Sequence, residues 1–164
     1  MGTRCGDVDP GALEFLAKKE NLDFAQVLDI LNQESGVLGI SRNFSSDFRE
    51  LKDAEIKYND QAALAREIFA YRVAKYVGSY AAAMNGVDNI VFTAGVGEND
   101  SDIRMEICSY LEYLGITIDE VKNRDEAEAF RISDGMSRVN VLVIKTNEAL
   151  EIAREVAEVA RMYH

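Results

Sequence analysis

From Asn89 to Asn99 the chain reads Asn-Ile-Val-Phe-Thr-Ala-Gly-Val-Gly-Glu-Asn, and Asp100-Ser-Asp-Ile-Arg104 follows directly. An apolar strand runs into a turn with glycines at 95 and 97, and a helix signal comes next. That layout suits a polyanion. A side chain at Gly95 or Gly97 would hold a nucleotide's phosphates off the backbone, and either glycine reaches positive φ at little cost. A helix start adds unpaired N–H groups and a partial positive charge. Asn99, Asp100 and Ser101 are all competent N-caps, so the boundary is signalled while its register stays open. Strand–glycine–helix turns also occur where nothing binds, so the turn alone leaves phosphate binding and simple chain reversal both standing. A dinucleotide module fits less well, because the third glycine of its fingerprint would fall at Asp100.

The remaining chemistry-bearing residues narrow the field. His164 is the one histidine, which nearly excludes a histidine-based nucleophile triad or a histidine zinc site in this chain. Cys5 and Cys108 are too few for a disulfide framework and lack metal-type spacing, so both read as reduced thiols of a cytoplasmic protein. The formal net charge of −11, from 29 acidic and 18 basic residues, opposes nucleic acid and an anionic membrane surface as partners. It does not oppose ATP, which needs only local donors and a magnesium ion. No apolar run has the length of a membrane span, and the polar start Met1-Gly-Thr-Arg-Cys-Gly-Asp does not read as a signal peptide.

The elements that must position these residues are mostly helices. Helices are expected over residues 10–20, with Asp9 as N-cap and Pro10 leading, and over 23–33, capped by Asp23. Ser35-Gly36 and Gly39 end that pair. A short helix opens at 47–51. The longest spans 59–84, where Leu64, Ile68 and Tyr71 recur at helical spacing, and Asn85-Gly86 stops it. Strands are expected at 90–93 and 139–144, both apolar on each face as in a buried parallel sheet. Helices at 101–114 and 147–162, a brief extended piece at 116–118, and a polar surface loop or helical turn at 123–129 complete the inventory. Two strong strands and a weak one cannot form a covered parallel sheet. The expectation is therefore the C-terminal part of a larger α/β domain, or a sheet completed by another chain. A two-layer α+β domain with one open sheet face is the alternative, and five or more strands here would refute incompleteness.

Six segments, in order, carry a resemblance. They are Met1-Gly-Thr-Arg-Cys-Gly-Asp-Val-Asp-Pro10, Ser35-Gly-Val-Leu-Gly-Ile-Ser41, Asp47-Phe-Arg49, Ile68-Phe-Ala-Tyr-Arg72, Ile90 through Asn99, and Val143-Ile-Lys-Thr-Asn-Glu148. Together they resemble the C-terminal part of the acetokinase family, the acetate kinases of the actin/Hsp70/sugar-kinase superfamily. The resemblance implies an α/β fold: the C-terminal part of an actin-like ATPase (ribonuclease H-like) domain, helix-rich, with an incomplete, mostly parallel sheet. Residues 1–164 would be that partial nucleotide-binding domain, with a helical segment at 10–56 and a long helix followed by β-α-β-α at 57–164.

The implied activity is reversible transfer of the ATP γ-phosphoryl group to acetate, giving acetyl phosphate and ADP. Arg4 matches an arginine that faces the transferred phosphoryl group and the carboxylate; without the resemblance it is a surface arginine. Asp47, Phe48 and Arg49 match an adenosine-contacting segment, where the plain alternative is an Asp-capped helix start. Gly95, Val96, Gly97, Glu98 and Asn99 match the family's phosphate-side turn, with Ala94 where many members carry glycine. Glu148 matches a magnesium ligand, although a first-turn carboxylate is favoured by the helix dipole in any case. Lys145 replaces that motif's proline. Propionate or butyrate kinase is not separable from acetate kinase here, because the acyl pocket lies outside the segment. A non-catalytic truncated domain or pseudoenzyme is the competing reading. The resemblance also implies a homodimer. The face Phe69-Val73-Tyr76-Val77-Tyr80 would serve as its interface, or equally as core.

Overall fold

The computed structural model describes residues 1–124 and 129–162. The chain divides into two compact units, Met1–Ser79 and Tyr80–His164.

The first unit holds α1 (Pro10–Glu20), α2 (Phe24–Gln33), α3 (Gly36–Ile40), α4 (Phe48–Ile56) and most of α5 (Asp60–Ala83). Asp9 caps α1 by accepting from Gly11 N at 2.7 Å. Asp23 and Gln26 cap α2 reciprocally, each side chain bonding the other's backbone N–H at 2.9 Å. Two donors that the helix leaves orphaned are satisfied this way. Val37, Leu51, Ala54, Ala62 and Ala65 form the buried cluster, with Ile40, Phe48 and Phe69 at its margin. The buried Arg66 lies 2.5 Å from Glu55 Oε2. Asn85, at φ 58°, ends α5 where the Asn-Gly pair predicts.

The helix expected to open at 47–51 is capped by Asp47 and runs to Ile56, with Leu51 and Ala54 in the core. Another segment departs from the expectation. Gly36–Ile40 is helical rather than a terminator. Its first N–H groups, Val37 and Leu38, donate to Met1 O and Gly2 O at 2.9 and 3.0 Å. That cap comes from a distant segment, so local propensity could not reveal it.

The second unit runs β1 (Asn89–Phe92), α6 (Ala94–Asn99), α7 (Ser101–Ser109), a 3-10 turn (Glu112–Leu114), α8 (Glu120–Asn123), β2 (Ala129–Arg131), β3 (Asn140–Ile144) and α9 (Glu148–Met162). β3 is central. It pairs parallel with β1, Ile90 opposite Val141 and Phe92 opposite Val143, and antiparallel with β2. The sheet is therefore mixed, which corrects the mostly parallel expectation. β2 was missed because three residues with one large apolar side chain show no readable alternation. Part of the loop expected at 123–129 lies outside the described residues, and so does His164.

Both-face burial of the strands is also corrected. Ile90, Phe92, Val141 and Val143 are buried, while Val91 and Ile144 are 47% and 42% exposed. One sheet face is buried, while on the other Leu142 is half-buried and Val91 and Ile144 are exposed. Three strands are described, fewer than the five that would have refuted an incomplete sheet. The helix expected at 101–114 breaks after Ser109 into the 3-10 turn, closed by Gly115 at φ 78°. The extended piece is present as a bridge between Ile118 and Ser133. Among the described residues no helix is long and apolar enough to cross a membrane.

Candidate functional site

Parallel pairing of β1 with β3 sets their C-terminal ends side by side. Two turns leave those ends: Thr93 into α6, and Lys145-Thr146-Asn147 into α9. In open α/β sheets this is the edge at which ligands bind. The glycine segment is itself one short helix, α6, with Thr93 at its N-cap. Neither Gly95 nor Gly97 takes positive φ. That conformation falls on Ala94, at φ 60°, so the strained residue is the alanine standing where the resembling family often has glycine. A Cβ on Gly95 would face open space, and one on Gly97 would lie 3.4 Å from the Phe92 carbonyl carbon. Gly95 thus leaves room outside the turn, while a Cβ at Gly97 would make ordinary contact with the strand end.

Glu98 joins the two turns. Its Oε1 accepts from Ala94 N at 2.6 Å, from Thr146 N at 2.8 Å and from Thr146 Oγ1 at 2.9 Å. The Thr146 N–H, helped by the threonine hydroxyl and Ala94 N–H, holds the carboxyl below its ordinary value. Asn99 Nδ2 donates to Gly95 O at 2.8 Å. Asp100 resolves the register of the next helix: it caps α7, accepting from Ile103 N at 3.2 Å.

Beneath the turn lies Arg104, 2% exposed. Its Nη1 donates to Gly97 O and Glu98 O, both at 2.9 Å, and its Nε to Asn123 Oδ1 at 2.8 Å. Nη2 donates to Asn123 O. Burial lowers the guanidinium's proton affinity from its ordinary value. The sequence reading gave Arg104 no role. Its signal was available: it is one turn from Cys108 and adjoins Ile103, all three buried. Burial likewise pushes the Cys108 thiol up to about 12, and both cysteines are free.

Glu148 opens α9, two residues beyond the Glu98 contact, and is exposed. Asn147 Oδ1 accepts from Leu150 N at 3.1 Å, capping that helix. No group of three or more His, Cys, Asp or Glu side chains that could hold a metal occurs among the described residues. A single exposed carboxylate matches a cation such as magnesium, which takes one or two protein carboxylates and fills its sphere with phosphates and water.

Arg4, Asp47, Phe48 and Arg49 belong to the first unit. Arg4 is exposed on a segment pinned on both sides: Ser35 N donates to Thr3 O and Cys5 N to Leu31 O, both at 2.9 Å. A Cβ on Gly2 would lie 3.8 Å from Ser46 Cβ, so this segment runs beside the start of α4. There Asp47 caps the helix through Arg49 N at 2.8 Å and pairs with Arg49 Nη2 at 2.6 Å. The Arg49 side chain holds the Asp47 carboxyl down at about 2. Phe48 packs edge-on against Phe69, ring centroids 4.5 Å apart. Of the proposed interface face, Phe69 therefore joins the core margin, while Tyr76 and Tyr80 are 40% and 62% exposed.

Residues 1–154 match the model of the acetokinase family. The acetate kinase of Lachnoclostridium phytofermentans is 54% identical over 158 residues, covering 96% of this chain and 40% of the relative. The crystal structure of Porphyromonas gingivalis acetate kinase superposes with a TM-score of 0.88 at 45% identity, over 98% of this chain and 40% of that one. A propionate kinase from Francisella tularensis superposes at 0.84 with 41% identity, over 94% and 39%. The chain thus spans about 40% of the length of the relatives it matches.

Proposed function

The chain belongs to the acetokinase family, and from that premise we propose that it is the C-terminal, nucleotide-binding part of an ATP-dependent carboxylate kinase with acetate as acceptor. The observation that carries this reading is the pair of turns at the ends of parallel β1 and β3, joined through Glu98, with open space outside Gly95. In the reaction an acetate oxygen attacks the γ-phosphorus of ATP, the bond from that phosphorus to the β–γ bridging oxygen breaks, and ADP leaves. Little covalent work falls to the protein; alignment and charge neutralisation do most of it.

In this reading the backbone from Gly95 to Asn99 lies along the nucleotide's phosphates. Asp47 and Arg49 face the adenosine, and the Phe48 ring gives that corner a fixed wall. Arg4 presents a rigid fork to the transferred phosphoryl oxygens. Glu148 would hold the magnesium ion, which when bound neutralises phosphate charge. The fold follows the actin-like ATPase pattern, in the cytoplasm, as a homodimer in the full-length enzyme. The likeness to a propionate kinase keeps a larger acyl group as the second reading.

This chain spans about 40% of its relatives' length, and the expectation is that these 164 residues by themselves turn over no acetate. A coupled assay checks this: activity above an Arg4→Ala control would refute it. Nucleotide binding is tested by amide chemical shifts under titration with magnesium ATP. Shifts confined to Gly95–Asn99, Asp47–Arg49 and Glu148 support the reading. An unchanged spectrum at several millimolar nucleotide, about the 4 kcal/mol that weak partial binding represents, would sink it.

A further inference from the structure

We propose that Glu98 is a positioning residue that fastens the turn after β1 to the turn after β3, and so fixes where Glu148 stands relative to the Gly95–Asn99 backbone. The inference rests on the nucleotide reading above and changes the part Glu98 plays in it, from a group that touches the ligand to one that sets the site's width.

The geometry gives three reasons. First, one oxygen takes all the close donors: Ala94 N, Thr146 N and Thr146 Oγ1 converge on Oε1 within 2.6–2.9 Å, and Thr93 Oγ1 stands 3.5 Å away. A carboxylate oxygen gripped by two backbone N–H groups is committed to the protein's own backbone. Second, those N–H groups belong to different strand ends, Thr146 lying 48 residues from Glu98. Arg104 grips the same turn through Gly97 O and Glu98 O, but its other partner is Asn123 on α8. Arg104 therefore anchors the turn to the body of the unit, and Glu98 links it to the start of α9. Third, a free carboxylate beside a triphosphate would repel it. Three donors on Oε1 stabilise that charge locally and let an acidic residue occupy a turn meant for an anion.

The test uses the whole 164-residue chain, isotope-labelled, with ATP and trace Mn²⁺ as a paramagnetic stand-in for magnesium. In the parent, amide signals of Gly95, Gly97 and Glu148 broaden together. In Glu98→Ala the glycine signals still broaden, while the broadening at Glu148 is lost, because the start of α9 is no longer tied to the turn through Thr146. Glu98→Gln restores most of it, since the amide oxygen can accept from the same donors. Glu148 broadening that survives unchanged in Glu98→Ala overturns the positioning role and spares the nucleotide reading. A parent in which nothing broadens overturns both. A measurement on the parent alone covers the case in which Glu98→Ala does not fold. The Ala94 and Thr146 amide shifts should follow one common titration as Glu98 protonates in acid. Separate or absent titrations would show the link does not exist.

Discussion

The glycine turn of the second unit and the Asp47–Arg49 corner of the first are made from the same parts, a carboxylate, an arginine and a helix start, and they are held in opposite ways. At the corner everything is local: Asp47 bonds the backbone and side chain of Arg49, two residues on, and the arginine side chain is 91% exposed. At the turn, local bonds from Ala94 N and Asn99 are joined by distant ones. Glu98 reaches Thr146, and the buried Arg104 ties Gly97 and Glu98 to Asn123. A local pair can rearrange when a ligand arrives, at little cost to the fold, because exposed ion pairs contribute little. A turn pinned by long-range bonds cannot. Under the proposed function, the difference would separate a surface that can adapt to an adenosine from a rim preformed for phosphates.

The sharpest way to break this contrast is Arg104→Ala. It leaves the Gly97, Glu98 and Asn123 carbonyls without their buried donor, and the expected loss is about 4 kcal/mol of stability, the scale of breaking a buried charged network. Urea unfolding measures it. A loss as small as that expected for Arg49→Ala, which breaks only an exposed pair, would erase the distinction between the two regions.

Gly36→Ala comes next. Gly36 sits at φ +61°, and a Cβ there would lie 2.8 Å from Arg4 O, 2.9 Å from Gly2 O and closer still to Met1 O. Rigid backbone on three sides plus the left-handed conformation should cost about 3 kcal/mol. It asks whether the Arg4 segment, unlike Asp47–Arg49, is also held by distant contacts.

Acid should act on both regions. Asp47, held down chiefly by the Arg49 side chain, and Glu98, held down chiefly by the Thr146 N–H, titrate lower folded than unfolded. Asp119 and Asp134 do so as well, through the Lys122 N–H and the Thr117 hydroxyl. The unfolded chain therefore takes up protons first. Their stabilisation is present above the ordinary carboxylate range and is lost as pH falls through it toward about 2. Urea midpoints along a descending pH series should fall, and by less in Asp47→Asn. An unchanged profile in that variant would mean the local pair contributes nothing.

The smallest effect sharpens the turn itself. Ala94→Gly removes a positive-φ alanine and should add roughly 0.5–1 kcal/mol, since left-handed backbone costs an alanine more than glycine's extra chain entropy. A thermal melt shifted downward would show that the Ala94 methyl packs usefully.

Much of this was readable from residues alone. Asp9, Asp23, Asp47 and Asn85-Gly86 mark helix ends by their own side chains and backbone preferences, and the structure has caps or stops at each. Four segments were misread for one shared reason. α3 depends on carbonyls from Met1 and Gly2, β2 on the edge of β3, the positive φ at Ala94 on how the turn closes, and the exposed strand faces on what covers the sheet. None of these is a property of a window of sequence.

The sequence by itself determined the family through its ordered motifs, the helix ends marked by Asp9, Asp23, Asp47 and Asn85-Gly86, and the two strands whose ends carry the turns. Only the tertiary structure decided that Glu98 bridges the two turns, that Arg104 braces the turn from below, and that the sheet is mixed. The physical reason is range. Caps and periodicity are written within a few residues, whereas the partner of a buried arginine or a bridging carboxylate is chosen by which strands become neighbours.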